Sequence, residues 1–269
     1  MTDSNSSDDL QPRDAAYWAQ HVSTLRLSQV PTGALNLNVE GRRMIGPLQG
    51  FGRLWQKTYR VRLPGVTPTP SEVIQIWKEN FPRFVPKQQR FYPALAGVEP
   101  GEIILINATL EGMPVNTGVV VLYADDEAFT LMTPQGHPES GWVTFSACVE
   151  DGCTVCQVQS LARANDPLYE VSFRLFASTA QEHIWRGVLT ALAAYFQVND
   201  PEVQMDKICV DPRVQWSEAR NIWQNAAVRS LLYMFGLPLR LLGRRFSRRQ
   251  RATGSMNEAP DRPIHGPGG

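Results

Sequence analysis

The segment from Ala180 to Phe196 constrains the fold most, because its apolar residues recur at the spacing of a helix. They predict one broad apolar stripe, formed by Ile184, Trp185, Val188, Leu189, Leu192, Tyr195 and Phe196. The polar side is formed by Gln181, Glu182, Arg186 and Thr190. Two overlapping capping pairs, Ser178 with Gln181 and Thr179 with Glu182, predict where the helix begins. The apolar stripe must pack against another surface, and the segments before it offer one.

Strand-like patterns dominate the chain upstream of this helix. We predict strands at Leu54–Leu63, Glu102–Glu111, Thr117–Tyr123, Ala128–Thr133, Gly141–Val149, Cys153–Arg163 and Leu168–Phe176. The last of these alternates most cleanly between apolar and polar residues. The short links between the later strands contain Gly, Pro, Asn and Asp, which turns require. Consecutive strands with short links indicate an antiparallel meander.

One helix is predicted between the first strand and the others. Thr69 is a suitable cap, Pro70 occupies the first helical position and Glu72 the third. In the first strand, inward-facing apolar residues alternate regularly except at Lys57, which interrupts the pattern. The order of strand, helix, six strands and long helix therefore predicts an α+β fold. In it, a curved antiparallel sheet of about seven strands wraps around a long helix, followed by an extra C-terminal helical segment.

Three stretches of the sequence resemble a known superfamily. GFGRLWQKTYRV, YADDEAFTLMTPQGHPESGWVTFSA and RANDPLYEVSF resemble an uncharacterised family within the START-like superfamily. That superfamily has a helix-grip fold and includes lipid-transfer domains, the major birch pollen allergen and polyketide cyclases. The resemblance spans about Leu48 to Phe196, and GHPESG is its most specific part.

The resemblance implies that a hydrophobic small molecule or lipid binds between the helix and the sheet. It carries over no catalytic residue, so non-catalytic binding is the leading hypothesis. We predict a ligand site formed by Trp55, Tyr59, Phe129, His137, Trp142, Phe145, Tyr169, Phe173, Trp185 and Leu189. Aromatic residues at strand and helix spacing are equally typical of an ordinary core.

Two hypotheses from other classes stay open. An enzyme acting on a hydrophobic ligand, cyclase- or hydrolase-like, would use His137 and Tyr169 as acid–base groups, with Glu139 close to His137 in sequence. Alternatively, His137 is a turn histidine bonded to its own loop. A third hypothesis is a solid-core interaction protein that docks through its C-terminal arm.

Charge is unevenly distributed along this chain of 269 residues, although its formal net charge is zero. Residues 1–219 contain 17 Lys and Arg against 24 Asp and Glu, whereas residues 220–251 contain eight Arg and no acid. We predict that this arm contacts an anionic membrane through Arg240, Arg244, Arg245, Phe246, Arg248 and Arg249. Nucleic acid is disfavoured because the remaining surface is acidic. A helix packed on the domain, with a solvated arginine tail, is the alternative.

The sequence divides into four predicted parts: a partly disordered N-terminal extension (1–47), a START-like domain (48–200), a C-terminal helical and basic arm (201–251) and a disordered tail (252–269). Four cysteines, including the lone pair Cys153 and Cys156, predict neither a disulfide framework nor a metal site. No cofactor is expected. The polar, acidic opening lacks a secretory signal, and we expect a cytoplasmic protein with peripheral membrane contact.

Overall fold

A computed structural model of the protein describes residues 15–65, 68–87, 89–94, 96–110 and 112–236. The chain divides into two compact units, residues 1–230 and 231–269. Of the second unit, the structure describes only residues 231–236, the end of a helix that begins at residue 226. The elements below belong to the first unit.

One antiparallel sheet of eight strands forms the framework, in the order β2-β3-β4-β5-β6-β7-β1-β8. The strands are β1 (Leu54–Leu63), β2 (Gln89–Tyr92), β3 (Ile103–Leu110), β4 (Met113–Ala124), β5 (Ala128–Met132), β6 (Glu139–Glu150), β7 (Cys153–Ala164) and β8 (Val203–Asp211). Helix α1 (Pro70–Phe84) follows β1, and a long helical segment of α2 (Pro167–Ser172), a wider π-type turn (Phe173–Ala177) and α3 (Ser178–Tyr195) follows β7. This order and topology confirm the predicted helix-grip α+β fold.

The predicted strand Leu168–Phe176 is wrong, because these residues form the first turns of the long helical segment. Asp166 caps it: the carboxylate oxygen Oδ1 accepts from the backbone N–H of Leu168 at 2.9 Å and of Tyr169 at 3.1 Å. Pro167 occupies the first helical position. α3 does begin at Ser178, but it continues the helical residues before it and has no side-chain cap, so the capping pairs predicted at Ser178 and Thr179 are wrong.

Two strands were not predicted. β2 lies in an aromatic, proline-punctuated stretch, and β8 lies where only a loop or edge segment was expected. Both are edge strands, so the sheet has eight strands instead of about seven. Other boundaries agree well with the sequence: Thr69 and Glu72 form the expected reciprocal capping box of α1. Pro82 does not end α1, which continues to Phe84.

The core fills one end of the space between sheet and helices. Phe129 and Phe145 stack with ring centroids 4.6 Å apart, and Trp77 of α1 packs edge-on against Phe145 at 5.3 Å. The second half of α3 completes this core with Val188, Leu189, Leu192 and Ala193, all fully buried. The first half of α3 faces the other end of the sheet, where the packing leaves space.

Candidate functional site

A cavity of about 150 Å³ lies between the first half of α3 and the inner face of the sheet. Its apolar walls come from β2, β3, β4, β5, β6 and the helical segment. They include Phe91, Ile106, Val119, Leu131, Trp142, Val143, Phe173, Ile184 and Trp185. A cavity of this size takes up a molecule of about one aromatic ring. A drug-sized ligand needs roughly 300–1,000 Å³.

Several polar side chains line the same cavity: Thr117, Thr133, His137, Glu139, Ser160 and Gln181. Thr117 is 2% exposed, and its hydroxyl has no hydrogen-bond partner among the described residues. The indole Nε1 of Trp185 is likewise buried without a partner there. Buried polar groups are normally hydrogen-bonded, but Trp77 Nε1 and the Tyr59 hydroxyl in the packed core also lack a described partner, so these two atoms do not by themselves mark a ligand.

Gln181 connects a buried cation and a half-buried acid at the edge of this cavity. Its amide Nε2 donates to Glu139 Oε2 at 2.6 Å, while its Oε1 accepts from Lys57 Nζ at 2.5 Å. Burial lowers the pKa of Lys57, an effect that the nearby Glu139 carboxylate partly offsets. Burial raises the pKa of Glu139, partly offset by Lys57 and by the Gln181 hydrogen bond. Lys57, Gln181 and Glu139 therefore form a hydrogen-bonded chain in which a neutral amide separates two ionisable groups.

A second, more polar cleft of about 400 Å³ lies next to the cavity, between the helical segment and strands β1, β7 and β8. Glu139, Ser160, Ala162 and Phe173 line both spaces, so they adjoin each other. The cleft is also lined by Arg53, Trp55, Lys57, Arg163, Glu170, Arg174, Glu182 and Lys207. Three cations of this cleft have acidic partners: Lys207 with Glu182, Arg174 with Glu170, and Arg163 with Asp211.

His137 is held by its own loop, as the turn-histidine alternative predicted. His137 Nδ1 lies 3.1 Å from both the backbone nitrogen and the backbone oxygen of Glu139, so the ring is hydrogen-bonded to its own loop in either neutral tautomer. Burial lowers the pKa of His137 to about 4, and the imidazole is neutral at pH 7. Part of the ring lines the cavity, where it offers a neutral polar surface.

Tyr169 lies outside the cavity lining. Its side chain is 3% exposed and packs with Val115, Ala164, Ala226 and Ala227, while its hydroxyl accepts from the backbone N–H of Ala227 at 3.0 Å. Burial raises its pKa. Tyr169 therefore has a structural partner of its own, and the structure does not bring it together with His137 at the cavity.

Apart from Tyr169, the predicted ligand-site residues fall into three groups. Those lining the apolar cavity are His137, Trp142, Phe173 and Trp185. Trp55 lines the polar cleft, with Lys207 Nζ 5.0 Å from its ring centroid. The packed core holds Tyr59, Phe129, Phe145 and Leu189, each fully buried and outside both linings.

Three charged or polar members of the site, Lys57, Glu139 and Gln181, were not among the predicted ligand residues. Lys57 could have been found from the sequence, since it interrupts the inward-facing apolar residues of β1. Gln181 was predicted on the polar side of its helix, which is wrong, because it is only 8% exposed and lines the cavity.

The described part of the chain holds no cluster of His, Cys, Asp or Glu that suits a metal ion. All four cysteines lie in that part and are free thiols. Burial raises the pKa of Cys156 to about 12, so that thiol is protonated at neutral pH. No helix of the described residues is long and apolar enough to cross a membrane.

The order of the elements and the topology of the sheet are those of a START-like fold. Comparison with solved structures finds similar chains at low sequence identity. One similar structure is a START superfamily protein from Mycobacterium smegmatis, with 18% identity and a TM-score of 0.39 over 54% of this chain and 98% of that chain. Another is a protein from Thermus thermophilus, with 13% identity and a TM-score of 0.40 over 52% of this chain and 94% of that chain.

A third similar structure is the di-domain ARO/CYC StfQ from the steffimycin biosynthetic pathway. It shows 11% identity and a TM-score of 0.43 over 54% of this chain, which spans about half (51%) of StfQ. Sequence comparison finds no matching family profile and no similar curated protein. At these identities and TM-scores, the similarities add no argument about ligand or activity. The START-like assignment rests on the order of the elements and the topology of the sheet.

Proposed function

We propose that this protein binds a hydrophobic small molecule in the cavity between α3 and the sheet, without catalysis of its own. The observation that carries the proposal is a largely apolar cavity of about 150 Å³ with a few polar groups on its wall. Such walls bury the apolar part of a ligand, and the polar groups fix its orientation. The volume favours a ring-sized molecule over a lipid chain.

The proposal is tested by extracting purified protein with organic solvent and identifying the released compounds by mass spectrometry. The wild type is compared with Ala108→Leu, since Ala108 lines the cavity and a larger side chain there fills part of it. We expect a compound that is released from the wild type in stoichiometric amounts and is depleted in the variant. Equal release from both proteins would place the compound elsewhere.

Peripheral membrane contact through the C-terminal arm is a separate proposal. Arg240, Arg244, Arg245, Phe246, Arg248 and Arg249, as well as the tail 252–269, lie outside the described residues. The start of the arm packs on the domain: Asn225, Ala226, Ala227 and Ser230 are buried, and Asn225 Nδ2 donates to Asp166 Oδ2 at 2.9 Å. The proposal for the arginines therefore rests on their number and on the apolar residues between them.

A further inference from the structure

The apolar cavity and the polar cleft together suit a ligand with two chemically different ends. Both spaces are lined by Glu139, Ser160, Ala162 and Phe173, so they are adjacent. A molecule that occupies both would have its ring in the cavity and its substituent beyond these residues in the cleft. The cleft is the larger space, at about 400 Å³. What the substituent must be follows from the groups that meet it there.

Lys57 is the buried cation of the cleft that lacks an acidic partner. It is 4% exposed and forms no ion pair with any described residue, unlike Arg163, Arg174 and Lys207. Two of its three N–H groups have neutral acceptors, Gln181 Oε1 at 2.5 Å and Ser178 Oγ at 3.2 Å. A buried ammonium group is costly without a counter-charge, so Lys57 favours an anionic group on the ligand.

We propose that the site binds a small aromatic carboxylic acid, with the ring in the apolar cavity and the carboxylate at Lys57. This inference rests on the proposed function and adds the chemical class of the ligand. The cavity volume favours a single ring, and the buried ammonium group of Lys57, which has no ion pair among the described residues, favours a carboxylate.

Glu139 is the acidic group nearest to this substituent and opposes it. Its Oε2 accepts from Gln181, which lies between it and Lys57. The other charged groups near Lys57 are Lys207 and Glu182, which pair with each other at 3.3 Å. Replacing Glu139 by Gln keeps an acceptor for Gln181 and removes the repulsion, so the variant should bind the carboxylate more tightly.

The test is calorimetric titration of full-length protein with three compounds of one skeleton: 3-phenylpropanoate, 3-phenylpropanamide and 3-phenylpropylamine. We expect the carboxylate to bind about tenfold more tightly than the amide and the amine to bind most weakly, since charge-assisted hydrogen bonds are roughly twice as strong as neutral ones. Lys57→Met should remove the preference for the carboxylate over the amide. Glu139→Gln should increase the preference for the carboxylate over the amide.

Lys78→Met is the matched control, because Lys78 lies on α1, bonds the backbone oxygen of Asp125 at 3.1 Å and lines neither space. It should change none of the three affinities. Equal binding of carboxylate and amide by the wild type would overturn the proposal even if Lys57→Met failed to fold. Tighter binding of the amine would also overturn the proposal and would indicate that Glu139, not Lys57, meets the charged group of the ligand. Binding of all three compounds without a charge preference leaves the cavity as a ligand site, whereas binding of none contradicts the proposed function as well.

Discussion

Gln181 on the long helix donates a hydrogen bond of 2.6 Å to the carboxylate of Glu139 at the start of β6. The same amide group accepts from Lys57 of β1, so one neutral side chain links opposite charges on two strands. The contact joins the helix to the sheet at the point where the apolar cavity meets the polar cleft. A neutral bridge separates the ammonium and the carboxylate, and Lys57 stays without a direct ion pair among the described residues.

Gln181→Leu should lower the free energy of unfolding by about 2–4 kcal/mol, because it leaves a buried ammonium and a half-buried carboxylate without their common partner. Urea denaturation measures the loss. Thr190→Ala, an exposed change on the same helix, should stay within about 0.5 kcal/mol. The triple variant K57M/E139L/Q181L should recover most of the loss because it removes both charges. A Gln181→Leu variant as stable as the wild type would contradict this account.

Stability should fall as the pH drops from about 6.5 to about 4, because His137 is buried in its neutral form. Its pKa is lowered to about 4 in the folded chain, whereas an unfolded histidine titrates near 6.5. The unfolded state therefore binds more protons in this window, and acid favours unfolding. His137 accounts for about 2 kcal/mol of the difference between pH 7.5 and pH 4.5. Urea denaturation at both values should show His137→Asn losing less than the wild type. Equal losses would show that His137 is readily protonated in the fold.

Asp166→Ala should lower stability by about 1–3 kcal/mol, because it removes the cap of the helical segment and leaves Asn225 without an acceptor. Asp166→Ser is the matched control, since a serine hydroxyl also caps but does not reach Asn225. Thermal denaturation should rank the wild type first, the Ser variant second and the Ala variant last. If Ser and Ala variants melt together, the cap does not stabilise this helix.

The arginines of the C-terminal arm should bind anionic vesicles at low salt, at about 1 kcal/mol for each arginine near the surface. Replacing Arg240, Arg244, Arg245, Arg248 and Arg249 by Gln in the full chain should abolish co-sedimentation with vesicles containing phosphatidylserine. Replacing them by Lys should preserve it. Binding that ignores salt and lipid charge would leave the arginines as a solvated tail.

Much of the fold followed from the sequence, because most strands face a core on one side and alternate accordingly. The alternation of Leu168–Phe176 led to the wrong prediction of a strand. Tyr169 and Phe173 are four residues apart, and residues at that spacing share a face both in a strand and in a helix. Asp166 and Pro167 decide for the helix through their capping geometry. Strand β8 was missed because most of its residues are exposed, and an edge strand without a buried face has little hydrophobic pattern.

The site was harder to predict because polarity does not show which way a side chain faces. Gln181 is polar and was assigned to solvent, yet it faces Lys57 and Glu139 across the sheet. Phe129 and Phe145 were assigned to the ligand, yet they stack on each other in the core. Which aromatic residues border a cavity depends on how α1 and α3 divide the inner face of the sheet, and periodicity does not contain that information.

The most direct test of ligand binding follows the indole N–H of Trp185 by NMR while benzene is added to full-length protein. Trp185 lines the cavity, and its indole Nε1 is buried. We predict a saturable shift of this resonance in the wild type and its loss in Ala108→Leu, whose side chain fills part of the cavity. An unchanged Trp185 resonance in the wild type, or an equal shift in the variant, would contradict a ligand site between α3 and the sheet.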